Sequence, residues 1–448
     1  MLGGCASVPD YDDHPVGAAS AASARPGIVG ARGPLTERQS KALLARIDTK
    51  PGDLGMLQRH LAIEQAVAES PLQAGNRTHL LRDGTATFQA MFAAIQGAKQ
   101  QINLEYFIVE DIVSDGVHLG DLLVAKQEAG VAVNLIYDSY GSKGTPASFF
   151  APLVQAGVKI VEFNPINPLD SRNGYALNAR DHRKMLVVDG TLAIIGGVNL
   201  SSTYESNPSS IGPSPGAPAL HWRDTDLQIS GPAVAALQSL FLDHWRAQQG
   251  PAMDKVILSP VLHPMGDSVV HIIGSTPDHQ VPRYYVTLLS SIRSAEKRVY
   301  LSAAYFVPTH QEMEDLVHAA RRGVDVRLLL GDQSDSELAL TVARSRYSDL
   351  LEAGVKIYET HGVMLHSKTI VIDGVWSVVG SSNFDHRSVL YNDEIDAVVL
   401  GSETAQELEA MFADDLRGAS QIDPATWDKR PVLEQLDGVF WRLWQSML

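Results

Sequence analysis

Short apolar runs recur along the chain in matched pairs. The run from Asn103 to Val109 has a counterpart from Val299 to Val307, and each reads as a buried strand preceded by a helix that ends in a basic turn. Gly130 to Ile136 is matched by Gly323 to Leu329, and Ala156 to Ile160 by Ala353 to Ile357. In each, a Gly-Val pair predicts the end of a helix at a C-cap glycine and the start of a strand. Later in each half a polar H-x-K triplet opens onto apolar residues. Met185 to Val188 and Ile194 to Ile195 follow the first triplet, and Thr369 to Ile372 and Val378 to Val379 the second. With Asp-Gly between the members of each pair, these predict a strand, a tight turn and a return strand.

Strands alternating with helices, written twice, predict an α/β protein of two similar lobes. Each lobe is expected to hold a mixed sheet flanked by helices. A pseudo-twofold axis would relate the lobes, with the active site between them. The expected divisions are residues 1–60 as a flexible tether and leading helix, 61–250 and 251–420 as the two lobes, and 421–448 as an amphipathic helix. Residues up to about Pro34 are rich in Ala, Gly, Ser and Pro, the composition of a tether. A helix is expected from Glu37 to Arg46, and Gly and Pro cluster at the lobe boundary between Gln248 and Gly266. Near the end, Val432, Leu436, Val439, Phe440, Leu443, Trp444 and Met447 share one helical face, which would either pack on the protein or lie in a bilayer interface.

The triplets belong to a longer pattern. His182-Arg183-Lys184 leads to Asp189-Gly190, Gly196-Gly197 and Asn199, and His366-Ser367-Lys368 leads to Asp373-Gly374, Gly380-Ser381 and Asn383. Both read H-x-K-x4-D-G-x5-G-[GS]-x-N. The offset between copies falls from 354 − 157 = 197 at the Gly-Val pairs to 366 − 182 = 184 at the histidines, so the first half carries about 13 extra residues near Asn164 to Ala176. That segment and the Pro/Ser/Gly-rich stretch from Ser206 to Ala219 are candidate loops beside the site.

Two histidines and two lysines suit phosphodiester chemistry. One imidazole can attack phosphorus and split a hard displacement into two easier steps. The second can protonate the departing alkoxide and then deprotonate the incoming alcohol or water. Lys184 and Lys368 would hold the non-bridging oxygens, with Asn199 and Asn383 as neutral donors to the same phosphate. A nucleophilic imidazole needs an acceptor on its other nitrogen. Asp224 and Glu394 recur at similar places in the two halves and are candidates. Asp189 and Asp373 are explained by the Asp-Gly turns and are expected to be structural. No metal or cofactor is required, and the histidines show no metal-ligand spacing.

A net charge of −16 and a pI near 5.3 argue against a nucleic-acid partner, which needs a basic surface. No run of about 18 apolar residues predicts a transmembrane helix. The single cysteine, Cys5, excludes an intramolecular disulfide. Its setting, Leu2-Gly3-Gly4-Cys5-Ala6-Ser7, is similar to the cleavage box of bacterial lipoproteins, which makes Cys5 a candidate lipidation site.

The double motif resembles the phospholipase D superfamily from about His79 to Leu416, and more finely the bacterial cardiolipin synthases. Asn103 to Ile108, Asn178-Ala179-Arg180-Asp181, Trp222-Arg223-Asp224-Thr225, Ala304-Tyr305-Phe306-Val307-Pro308 and Gly380-Ser381-Ser382-Asn383-Phe384-Asp385-x-Arg387-Ser388 carry that finer likeness. The resemblance implies metal-free phosphatidyl transfer between glycerophospholipids such as phosphatidylglycerol, through a phosphohistidine. It implies His182 as nucleophile, His366 as general acid and base, and Asp224 and Glu394 as the orienting acids. A bacterial, peripherally membrane-associated enzyme is expected, with lipid on Cys5 as the route to anchoring in the cell envelope. A phospholipase D that hydrolyses lipids to phosphatidic acid would use the same residues, so both readings stand on sequence.

Overall fold

The computed structural model of the chain describes residues 27–48, 54–67, 70–167, 178–205, 221–254, 262–277, 282–427 and 429–430. Cys5, residues 168–176 of the first extra segment, the stretch from Ser206 to Ala219 and the apolar face from Val432 to Met447 lie outside the described residues.

The two halves build the same sheet twice. In the first, the strands run in the order Lys159–Phe163, Ala132–Asp138, Gln101–Tyr106, Lys184–Val188, Leu192–Gly196, Thr225–Ser230 and Leu72–Arg82. The first two steps are parallel and the other four antiparallel. In the second, the order is Lys356–Thr360, Asp325–Gly331, Arg298–Ala303, Lys368–Ile372, Trp376–Gly380, Asn392–Leu400 and Ser268–Ser275, with the same pattern of directions. Parallel neighbours need a crossover, and helices Leu119–Glu128, Ala147–Ala156 and His310–Arg321 supply such connections. Gly157 ends its helix in the left-handed conformation, φ 97°. Strand Leu72–Arg82 is long enough to pair with both Thr225–Ser230 and Ser268–Ser275, which makes the two sheets continuous.

Each sheet buries its outer face under helices and its inner face against the other sheet. Met185, Val187, Ile195, Leu227 and Ile229 of the first sheet meet Val371, Val379, Ile395, Ala397 and Val399 of the second in one cluster, capped by helix Val234–Ala247. A fully buried aliphatic side chain contributes about 1.5–3 kcal/mol. The shared core therefore fixes the two motifs relative to one another.

The N-terminal part departs from the expected tether. Ile28–Gly30 and Gly33–Pro34 pair with each other, and Ile28 and Val29 run parallel to Leu72 and Gln73. Helix Glu37–Ile47, opened by a Thr36–Gln39 capping box, and helix Leu54–Val67 follow. Ile28, Leu43, Leu44, Ile47, Met56, Leu57 and Leu61 are buried in the core of the second half, not the first. Apolar spacing within this stretch outweighs its Gly and Pro content, because these side chains cover a sheet face that water would otherwise meet. At the other end, Ala419–Gln421 adds a strand beside Lys356–Thr360 and a short helix, Pro424–Trp427, follows; most of the expected helix from 421 to 448 lies outside the described residues. Among the described residues no helix is long and apolar enough to cross a membrane.

Candidate active site

Each histidine is delivered to the opposite half by a short parallel bridge. Arg180–Asp181 pairs with Asn392–Asp393, and the His182 N–H donates to the Asp393 carbonyl at 2.9 Å. Likewise Val363–Leu365 pairs with His221–Arg223, and the His366 N–H donates to the Arg223 carbonyl at 2.8 Å. The residue that follows each accepting carbonyl is an acid. His182 Nδ1 consequently lies 3.0 Å from both Glu394 oxygens, and His366 Nδ1 lies 2.6 Å from Asp224 Oδ2. Each acid found in the sequence thus lies beside the Nδ1 of the other half's histidine. A proton held between Nδ1 and a carboxylate leaves Nε2 as the reactive atom of a neutral ring.

The rest of the motif follows from this packing. At Asp189 and Asp373 φ is 52° and 55°, and the next glycines are also positive, as a two-residue hairpin turn requires. The Asp189 carboxylate accepts from the successive N–H groups of Lys99, Gln100 and Gln101, and Asp373 from those of Glu296, Lys297 and Arg298. Both carboxylates accept from the N–H groups of a neighbouring turn. Gly196 and Gly380 face Asp226 and Asp396 so closely that a Cβ would come within 2.1 and 2.0 Å of a carboxylate oxygen. At the next position the copies diverge. Gly197 makes room for Asp224, which an added Cβ would approach to 2.2 Å, whereas Ser381 donates its hydroxyl to Glu394 at 2.5 Å.

Lys184 and Lys368 point back along their strands. Lys184 Nζ donates to the His182 carbonyl at 2.7 Å, and Lys368 Nζ to the His366 carbonyl while lying 3.0 Å from His366 Nδ1. Asn383 borders the cavity described below. Asn199 does not: its oxygen accepts from the Ile108 N–H and its nitrogen donates to the Tyr204 hydroxyl, each at 3.2 Å. Tyr204 in turn reaches to 3.1 Å of His366 Nδ1. Asn199 thus props a second contact to a histidine. With Tyr204 and Trp222 packed on it, His366 sits in an aromatic pocket, whereas Phe107 meets His182 edge-on at 5.3 Å.

Burial shapes the charges here. It pulls His182 down to about 4, aided by Lys184 and against the pull of Glu394. His366 is held well below its ordinary value by burial, Lys368 and Lys184. Both rings are therefore neutral at rest. Burial brings Lys184 down to about 7 and lowers Lys368 as well. The two acids diverge. Burial raises Asp224 to about 6, only partly offset by Lys368 and the Thr225 N–H. Glu394 is lowered, since His182 and its hydroxyl donors outweigh burial. Beyond His182, Glu394 accepts from Ser381, Ser388 and Asn392, a fuller set of donors than Asp224 has.

Sequence reasoning missed a buried charged network behind His182. Arg183 donates to Glu105 at 3.1 Å and to the Glu394 carbonyl at 3.3 Å, and His244 Nδ1 lies 2.7 Å from Glu105. Burial opposes charge on His244, yet Glu105 and Asp181 raise it to about 9. Among the described residues, Glu105, Asp181 and His244 are a group able to converge on a metal ion, their ligand atoms within 4.8 Å of one another. The Arg183 guanidinium already supplies the cation that this cluster calls for. The only sequence signal was the middle residue of the H-x-K triplet, Arg183 in one copy and Ser367 in the other.

A cavity of about 520 Å³ opens at His182. Phe107, Tyr140, Tyr305, Val307 and Ala339 form its apolar wall, and Asn178, Arg180, Asn383, Asp385 and Arg387 its polar part. Such a site can take one phosphate flanked by glycerol and hydrocarbon.

Comparison with known proteins agrees with this geometry. Residues 91–207 and 288–416 match the family described as "Cardiolipin synthase, PLD-like domain". The cardiolipin synthase of Geobacillus sp. (strain WCH70) is 35% identical over 376 residues, 83% of this chain and 72% of that protein. That of Alkalihalophilus pseudofirmus is 33% identical over 387 residues, 85% and 74% of the two chains. Among solved structures, the phosphatidylserine synthase of Haemophilus influenzae superposes with a TM-score of 0.60 at 12% identity, covering 87% of this chain and all of the other, a likeness of fold. With two PLD-like segments over more than half its length and relatives of this similarity, the chain belongs to the cardiolipin synthase family of phospholipase D-like enzymes.

Proposed function

We propose that the protein is a phosphatidyltransferase that joins two phosphatidylglycerol molecules, or closely related glycerophospholipids, into cardiolipin, working at a membrane surface. The observation that carries this reading is the crossed pairing of two histidines with buried acids, with a buried lysine beside each histidine and His182 bordering an apolar-walled cavity. The cardiolipin synthase relatives support the choice of lipid substrate.

In the first step His182 Nε2 attacks the phosphorus of one lipid. A P–N bond forms and the P–O bond to glycerol breaks. Its electron pair leaves on the glycerol oxygen, which takes a proton from His366 Nε2. In the second, His366 removes the proton of an acceptor alcohol, the alkoxide attacks phosphorus, and the P–N bond breaks to restore His182. Lys184 and Lys368 stabilise the charge that builds on the non-bridging oxygens. Burial first, and the two ammonium groups after it, hold His366 unprotonated; the negative phosphodiester offsets the ammonium part and so favours the protonated general acid. His182 is the better-placed nucleophile because it borders the cavity.

Incubation of the protein with phosphatidylglycerol vesicles, with products resolved by mass spectrometry, tests this reading. Cardiolipin plus glycerol is the expected result. Phosphatidic acid alone overturns it in favour of hydrolysis.

A further inference from the structure

Two copies of one unit should present a symmetrical site, yet positive charge at this cavity breaks the symmetry. Arg180 stands two residues before His182, where the second copy has Met364 before His366. Arg387 stands four residues after Asn383, where the first copy has Thr203 after Asn199. Both substitutions add a guanidinium, one from each half, and both border the same cavity on the His182 side. The two are tied together, since Arg387 Nη2 donates to the carbonyl of Asn178, two residues before Arg180.

Their electrostatic settings differ. Arg180 lies 3.5 Å from Asp138, so part of its charge is met within the protein. Arg387 is half-buried and its guanidinium rests 5.9 Å from the Tyr391 ring centre. Asp385, the one acid bordering the cavity among the described residues, uses its carboxylate to cap the helix that carries Arg387, accepting from the Ser388 N–H at 2.8 Å. The reacting phosphate already has Lys184 and Lys368. A hydrolase handles one phosphate at a time, whereas joining two anionic lipids requires a place for a second.

Resting on the transferase reading above, we propose that Arg387, with Arg180 beside it, binds the non-reacting phosphate of the acceptor lipid and so selects a phospholipid alcohol over water or a small neutral alcohol. The guanidinium offers planar paired donors suited to a phosphodiester.

The test is a competition. Wild type and Arg387→Gln receive phosphatidylglycerol vesicles with a fixed amount of ethanol, and mass spectrometry measures cardiolipin against phosphatidylethanol. Loss of a hydrogen bond to a charged group, about 1.5–3 kcal/mol, corresponds to a fall of about ten- to hundredfold in that ratio. Arg387→Lys, which keeps the charge, should recover part of it, and thermal unfolding of both variants guards against misfolding. A ratio unchanged in Arg387→Gln, or the two products falling together, overturns the acceptor site while leaving the transferase reading intact. Wild type that makes phosphatidic acid but no cardiolipin removes the transferase reading, and the acceptor site falls with it.

Discussion

His182 and Glu394 are 212 residues apart in the chain and 3.0 Å apart in space. With the reciprocal pair, His366 and Asp224, they make each half supply the acid for the other half's base. The functional consequences can be measured residue by residue.

Replacing Glu394 by Gln keeps the shape but removes the charge that holds the His182 proton on Nδ1. General acid–base contributions run to about 10²–10⁴-fold, and kcat is expected to fall by that order while KM changes little. Asp224→Asn should behave alike through His366. His182→Ala or His366→Ala should abolish turnover without unfolding the protein. Normal turnover in any of these variants refutes the paired mechanism.

The pH profile should be bell-shaped. Burial raises Asp224 to about 6, so as pH falls through that value its carboxylate gains a proton and His366 loses its acceptor. Burial lowers Lys184 to about 7, so as pH rises past 7 the phosphate loses a cation. Both limbs belong to the free enzyme and should appear in kcat/KM. A flat kcat/KM from pH 5 to 9 contradicts these environments.

Much of this site was legible in sequence because it is local and repeated. Spacing gave the hairpins, the turn aspartates, and the recurring acids Asp224 and Glu394. Which acid meets which histidine was not legible, since only the parallel bridges Arg180–Asp181 to Asn392–Asp393 and Val363–Leu365 to His221–Arg223 decide it. Arg183 and His244 were missed for the same reason, their partners lying 78 and 139 residues away. Asn199 has the same place in the motif as Asn383, but Tyr204, which has no equivalent in the second copy, draws its amide away. The strands from Ile28 to Pro34 were hidden because Gly and Pro masked a few well-placed apolar residues.

Chelating agents should leave activity unchanged, because the proposed chemistry uses only the two imidazoles and the lysines, and Arg183 pairs with Glu105 in the acid cluster behind His182. Loss of activity with EDTA, restored by a divalent ion, contradicts that arrangement.

Turn and site should separate cleanly. Asp189→Ala strips the acceptor from three N–H groups and should cost about 1–3 kcal/mol of stability, seen as a lower Tm, with kcat nearly preserved. Gly197→Ala should do the reverse: its Cβ would displace Asp224, costing about 1–3 kcal/mol and also depressing kcat. Equal effects of the two variants on kcat contradict the assignment.

The exchange of acids between halves also speaks to ancestry. A single copy of this unit would hold a histidine with no acid beside it, and would become competent only by meeting a second copy face to face. Joined in one chain, the two units are held face to face by the shared core and need not be identical. Gly197 and Ser381, Arg183 and Ser367, and Asp224 and Glu394 are places where the two copies differ around their histidines.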